Sequence, residues 1–120
     1  MKKTILAIDD FETSRFVLAT TLHTKGYNVL KAGSGKEALD HLNGQQIDLI
    51  ITDYNMPVMN GLELVEKIKS MPQYSKIPIF ILSTETRQEI KDKAKDMGVT
   101  AWVKKPFVLE KLVTFIERIV

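Results

Sequence analysis

The sequence contains no cysteine, which excludes a disulfide framework, thiolate-ligated zinc or iron–sulfur centres and thiol catalysis. Histidine is scarce as well. His23 and His41 are the only two; they fall on separate predicted helices without ligand-type neighbours, and both are read as surface residues. No apolar run approaches the roughly 20 residues needed to span a bilayer. The N-terminus, Met1-Lys2-Lys3-Thr4, meets Asp9-Asp10 after only a few apolar residues. A secretory signal needs a longer apolar stretch and a small-residue cleavage site, so a cytoplasmic location is expected, with no membrane association. Charge of one sign is not in excess either. Seventeen Lys and Arg against 15 Asp and Glu leave a net +2, which gives no reason to expect nucleic-acid binding.

What is present is enough for one domain with a core of its own: 120 residues, 44% of them hydrophobic. We expect a single domain over 1–120 with no output domain. Five short apolar runs recur, at Ile5–Ile8, Tyr27–Leu30, Leu49–Thr52, Ile79–Leu82 and Ala101–Val103. The first, third and fourth are nearly continuous in Ile and Leu, as in parallel strands covered on both faces. Between them apolar residues recur at three and four positions: Phe16, Leu18, Ala19 and Leu22 before Gly26; Ala38, Leu39 and Leu42 after a Ser34 cap; Leu62, Leu64, Val65 and Ile68, ending near Pro72; Ile90, Ala94 and Met97 before Gly98. The last set is Leu109, Leu112, Val113 and Ile116. Strand and helix alternating five times predict an α/β fold, a doubly wound five-stranded parallel sheet with helices on both faces.

In such sheets functional groups collect outside the carboxyl ends of the strands. There the first run delivers Asp9-Asp10, the third Asp53, the fourth Ser83-Thr84 and the fifth Lys104-Lys105-Pro106. Taken singly each has a plain reading. Asp9 or Asp10 can cap a helix, Asp53 can serve a turn before Pro57, and a lysine before proline is usually a solvated loop residue. Their joint delivery to one edge favours a site. Three carboxylates held together repel and raise at least one pKa unless a cation intervenes. An all-oxygen set suits Mg²⁺, with Mn²⁺ able to substitute. With a lysine and a hydroxyl beside it, the set suits attack of an aspartate on phosphorus. Gly33-Ser34-Gly35-Lys36 is not a phosphate-binding P-loop: Leu30 stands where its first Gly belongs, and Glu37 follows the Lys.

Asp9-Asp10-Phe11, Asp53-Tyr54-Asn55-Met56-Pro57, Asn60-Gly61-Leu62-Glu63-Leu64, Ser83 and Lys105-Pro106-Phe107 occur in this order from the first strand to the last helix. The chain thereby resembles the receiver domains of response regulators, most closely the single-domain chemotaxis type. The resemblance implies the flavodoxin-like strand order 2-1-3-4-5 and Asp53 as phosphoacceptor. It implies Mg²⁺ held by Asp10, Asp53 and the backbone carbonyl of Asn55, with Asp9 acting through a bound water. Ser83 and Lys105, the lysine selected by Lys-Pro-Phe, would contact the phosphoryl group, and the Lys105–Pro106 bond would be cis. Trp102 stands where the family more often has Tyr or Phe. With Ser83 it would form the switch that alters the helix 4–strand 5–helix 5 face. Asn55 and Glu85 would flank the path of hydrolytic water and make the phosphoryl state short-lived.

The expected partners are a histidine kinase as donor and a downstream target protein such as a motor switch component, with the domain itself monomeric. The chain would catalyse only its own phosphotransfer and dephosphorylation. A haloacid-dehalogenase-type phosphatase fits less well, because Asn55 replaces the usual second Asp and cannot donate a proton. A flavin-binding domain fits less well because a carboxylate-lined cleft repels the flavin phosphate. A phosphorylation-independent receiver and a receiver cut from a longer regulator are the remaining alternatives.

Overall fold

A strand that is apolar at every position is stable only if both faces of its sheet are covered, and this requirement organises the molecule. The structure, a computed structural model, describes residues 2–120, with Met1 outside them. Ten elements alternate: β1 (Thr4–Ile8), α1 (Glu12–Thr24), β2 (Asn28–Ala32), α2 (Gly35–His41), β3 (Leu49–Asp53), α3 (Gly61–Lys69), β4 (Ile79–Ser83), α4 (Gln88–Asp96), β5 (Ala101–Lys104) and α5 (Leu109–Ile119). All strand pairs are parallel and the sheet order is β2-β1-β3-β4-β5, the expected doubly wound arrangement.

The period of two along each strand divides the core. Ile5, Ala7, Leu49, Ile51, Phe80 and Leu82 face α1 and α5, where they pack with Leu18, Leu22, Leu112, Val113 and Ile116. Leu6, Ile8, Ile50, Ile79 and Ile81 face the other way, against Ala38, Leu64, Val65, Ile68 and Ala94 from α2, α3 and α4. Each fully buried Leu or Ile contributes roughly 1.5–3 kcal/mol relative to exposure. The helix starts are fixed locally. Ser34 Oγ accepts the Glu37 N–H at 3.1 Å. Asn60 and Glu63 exchange reciprocal bonds of 2.9 and 3.0 Å at the start of α3.

Several sequence expectations shift. β2 begins one residue later than its apolar run and extends to Ala32, because pairing with β1 rather than apolar content sets its limits. α3 stops at Lys69 with Ser70 as its cap, short of Pro72. Phe16, expected to face inward, is 62% exposed. The buried residues of α1 are Leu18, Ala19 and Leu22, and a helix that buries them turns position 16 outward and position 15 inward.

Val58 lies in the loop after β3 with φ +71° and is fully exposed. The Met59 N–H donates to the Pro57 carbonyl at 2.8 Å, closing a tight three-residue turn that is strained for a β-branched side chain. Val58→Gly is expected to stabilise the protein by about 1 kcal/mol, since relief of 1–3 kcal/mol of strain exceeds glycine's added unfolded-state entropy. Urea unfolding checks this, and a destabilised variant would refute it.

Candidate functional site

Strand order reverses direction between β1 and β3, leaving a crevice outside their carboxyl ends. The register sets the residues around it in steps. Ile8 pairs with Thr52, so Asp9 and Asp53 follow side by side. Asp53 pairs with Leu82, setting Ser83 one step beyond it. Ser83 pairs with Lys104, and the Lys105 N–H donates to the Ser83 carbonyl at 2.8 Å. The Lys105–Pro106 bond is cis, as the resemblance implied.

Oxygens of Asp9, Asp10 and Asp53 lie within 4.8 Å of one another. Asp9 and Asp53 are buried, whereas Asp10 is exposed. Neither Asp9 nor Asp10 caps α1: Phe11 precedes the helix, and its N–H donates to Asp9 Oδ1 at 2.9 Å. Lys105 Nζ donates to Asp53 Oδ1 at 2.6 Å. Burial, and after it the neighbouring Asp9 carboxyl, push the Asp53 pKa up to about 7, with the Lys105 ammonium only partly opposing them. A carboxylate so disfavoured as an anion beside two others is the signature of a donor set short of positive charge. The donors are all oxygens, which suits a hard ion such as Mg²⁺, so the residues fit the ion.

Gly61 belongs to the site through its missing side chain. A Cβ there would lie 2.6 Å from the Asp53 carbonyl oxygen and 3.0 Å from the Tyr54 Cα. The Gly61 N–H donates to the Tyr54 carbonyl at 2.8 Å. The start of α3 thus presses directly on the backbone that carries Asp53. Asn55 is exposed in the intervening loop, while Met56 beside it is buried.

The remaining expected residues lie nearby but are engaged elsewhere. Ser83 is buried, and its hydroxyl accepts the Glu85 N–H at 2.8 Å rather than bonding Asp53. The Glu85 carboxylate takes two bonds from the Arg87 guanidinium, at 2.8 and 3.1 Å, and two from the Thr86 and Arg87 N–H groups. The Arg87 side chain above all, with those N–H groups, holds the Glu85 pKa down at about 2. Trp102 packs half-buried against the α4 side of the core, its ring 5.5 Å from that of Tyr54 at 49°. Its Nε1–H is buried and has no hydrogen-bond partner among the described residues.

A cleft of about 620 Å³ opens beside the acidic cluster, with Asp9, Thr84 and Lys105 on one side and Val17, Leu82 and Phe107 among its apolar lining. Arg15, Gly61 and Arg87 were not singled out individually as site residues from the sequence. Arg15 alone carried a local signal, since it stands at the i−3, i−4 and i−7 positions from the buried Leu18, Ala19 and Leu22.

A parallel sheet that gathers aspartates and a lysine at its switch point is the architecture of a receiver. Residues 5–117 match the response regulator receiver domain, and the chain belongs to that family. It is 37% identical over 117 residues to the chemotaxis protein CheY homolog of Campylobacter jejuni, covering 96% of this chain and 90% of that protein. Among solved structures it is similar to the chemotaxis response regulator CheY4 of Vibrio cholerae, with a TM-score of 0.92 and 39% identity over the full length of both chains. It also matches the sensor protein EvgS of Escherichia coli, at 36% identity over 118 residues that make up 10% of that longer protein. Among the described residues no helix is long and apolar enough to cross a membrane.

Proposed function

We propose that this domain accepts a phosphoryl group on Asp53, with Mg²⁺ held by Asp10, Asp53 and the Asn55 backbone carbonyl and with Asp9 acting through a bound water. The observation that carries this reading is the 2.6 Å contact of Lys105 Nζ with Asp53 Oδ1 inside a trio of carboxylates. An Asp53 oxygen attacks phosphorus, the bond from phosphorus to the donor atom breaks, and the donor leaves with that electron pair. Bound Mg²⁺ neutralises charge on the transferring oxygens. Lys105 and the Ser83 hydroxyl donate to the same oxygens, and the open cleft beside Asp9 and Lys105 leaves room for the donor. Asn55 and Glu85 flank the route of attacking water and keep the phosphoryl state short-lived.

The proposed donor is a histidine kinase in the cytoplasm, and the domain acts as a monomer through a target protein that reads the α4–β5–α5 face. Similarity to chemotaxis proteins favours a motor switch component as that target. The EvgS match supports a second setting, a receiver within a longer chain. A serine hydroxyl has one donor and two acceptor lone pairs, so Ser83 donates to a phosphoryl oxygen while its Oγ keeps the Glu85 N–H, and Trp102 then turns inward. Its unpaired indole N–H already costs the present arrangement about 1–3 kcal/mol, comparable to the usual coupling between two states of a switch. Because Trp102 is the only tryptophan, phosphorylation is expected to change the emission of the protein. An unchanged spectrum in a confirmed phospho-form would remove the Trp102 mechanism and leave Asp53 standing.

The decisive test is incubation with a small acyl phosphate and Mg²⁺ followed by intact-mass measurement. The expected result is an increment of one phosphoryl group that decays after the donor is removed. No increment would overturn the phosphoacceptor reading, and an increment lasting many hours at neutral pH would overturn the short lifetime.

A further inference from the structure

We propose that Arg15 is a positioning residue for the metal-binding carboxylates, and that Gly33 leaves the space its guanidinium occupies. This rests on the Mg²⁺ reading above. Arg15 stands on the inward stripe of α1, in line with Leu18, Ala19 and Leu22, where an apolar side chain would be expected. Half-buried there, it turns back along the helix, and its Nη1 donates to the Asp9 carbonyl oxygen at 2.7 Å.

That bond acts on the peptide joining Asp9 to Asp10. The Asp9 N–H is already tied to the Ala32 carbonyl at 3.1 Å, and Asp9 Oδ1 to the Phe11 N–H at 2.9 Å. Arg15 takes the third polar group of Asp9 and so fixes the plane of the Asp9–Asp10 peptide. This orients Asp10, which is exposed and has no side-chain hydrogen bond of its own among the described residues.

Gly33 makes the arrangement possible. A Cβ on it would lie 2.8 Å from Arg15 Nη1 and 3.5 Å from Cζ. Its backbone is outside the left-handed region, so alanine is not strained there. The Gly33 N–H donates to the Glu37 carboxylate, at 3.3 Å from each oxygen. A methyl at position 33 therefore displaces the guanidinium from Asp9 and leaves the fold intact. Gly33→Ala thus removes the Arg15 contact while keeping Arg15 and every metal-binding residue.

Mg²⁺ binding to the full chain, measured by calorimetry for the wild type, Arg15→Ala, Arg15→Lys and Gly33→Ala, tests the proposal. Loss of such an outer contact is expected to weaken Mg²⁺ binding on the order of 10- to 100-fold in Arg15→Ala and Gly33→Ala. Arg15→Lys, which keeps a donor, should lie between them and the wild type. The phosphorylation rate at saturating Mg²⁺ should be nearly unchanged, giving a split between metal affinity and chemistry that general damage to the fold would not produce. Wild-type affinity in Gly33→Ala, or an equal loss of affinity and of rate at saturating metal, would overturn the role of Arg15. A wild type that binds no Mg²⁺ would instead overturn the metal reading on which it rests.

Discussion

Asp53→Asn is expected to abolish phosphorylation completely and, with divalent metal chelated, to make the protein more stable at pH 8. Loss of the phosphoryl increment follows from removing the nucleophile, since an amide oxygen has no anionic pair to form the acyl phosphate. The gain in stability follows from the Asp53 pKa, raised from 3.8 to about 7 by burial and then by Asp9. The folded protein holds a proton on Asp53 that the unfolded chain has already released above pH 4. Folding is therefore linked to proton uptake, and stability falls as the pH rises from about 4 through about 7, then levels off. The whole loss is roughly 4 kcal/mol. The amide of the variant carries no charge and escapes that part of the loss, although Lys105 then lacks its ionic partner, so a net gain of about 2 kcal/mol is expected at pH 8. Mg²⁺ at a hundred times its Kd should restore about 2.7 kcal/mol to the wild type and far less to the variant. Urea unfolding of both proteins between pH 4 and 9, with and without metal, measures these differences. Identical pH slopes in the two proteins would show that Asp53 is not the strained group.

That strain was legible only in part. Unbroken apolar runs at 5–8, 49–51 and 79–82, nearly all Ile and Leu, can be satisfied only by a sheet covered on both faces, so the central strands and the carboxylates at their ends could be read directly. The edge strands could not be bounded as well: β2 is limited by its pairing with β1, and its exposed positions carry no apolar pattern. Phe16 shows a related failure. Its place in the recurrence at three and four residues suggested burial, but the 100° step of the helix that buries Leu18, Ala19 and Leu22 turns it to solvent and brings Arg15 in. Asn60-Gly61 was legible as the start of a helix. That Gly61 must also admit the Asp53 carbonyl at what would be 2.6 Å from a Cβ depends on where α3 lands in three dimensions. The bond of Ser83 to the Glu85 N–H and the clasp of Glu85 by Arg87 are choices of rotamer within an irregular segment, and residue types alone do not select them.

Lys105→Ala is expected to slow phosphorylation of Asp53 on the order of a hundredfold at saturating Mg²⁺, the usual effect of deleting one fixed donor to developing oxyanion charge. The ammonium is well placed for this role because β5 ends beside Ser83, which holds the Lys105 backbone through its carbonyl; the side chain then reaches Asp53 at 2.6 Å. The same truncation leaves a buried carboxylate without its side-chain cation. Breaking a fully buried pair costs about 3–5 kcal/mol. Here the lysine is partly exposed and Asp53 can take up a proton, so a smaller loss of about 2 kcal/mol is expected at pH 8 without metal. With Lys105 gone, the Asp53 pKa moves up from about 7, and the decline in stability, which still begins near pH 4, extends to higher pH. Mg²⁺ should recover much of the lost stability by supplying positive charge, but not the rate, because the missing N–H donors act on the transferring oxygens. Lys105→Arg keeps the charge but replaces a compact ammonium with a broad planar fork, so it should preserve stability better than rate. Single-turnover phosphorylation together with urea unfolding separates the two roles. A Lys105→Ala rate within about threefold of wild type would reduce Lys105 to a counter-ion, well short of the loss expected for a donor to the transferring group.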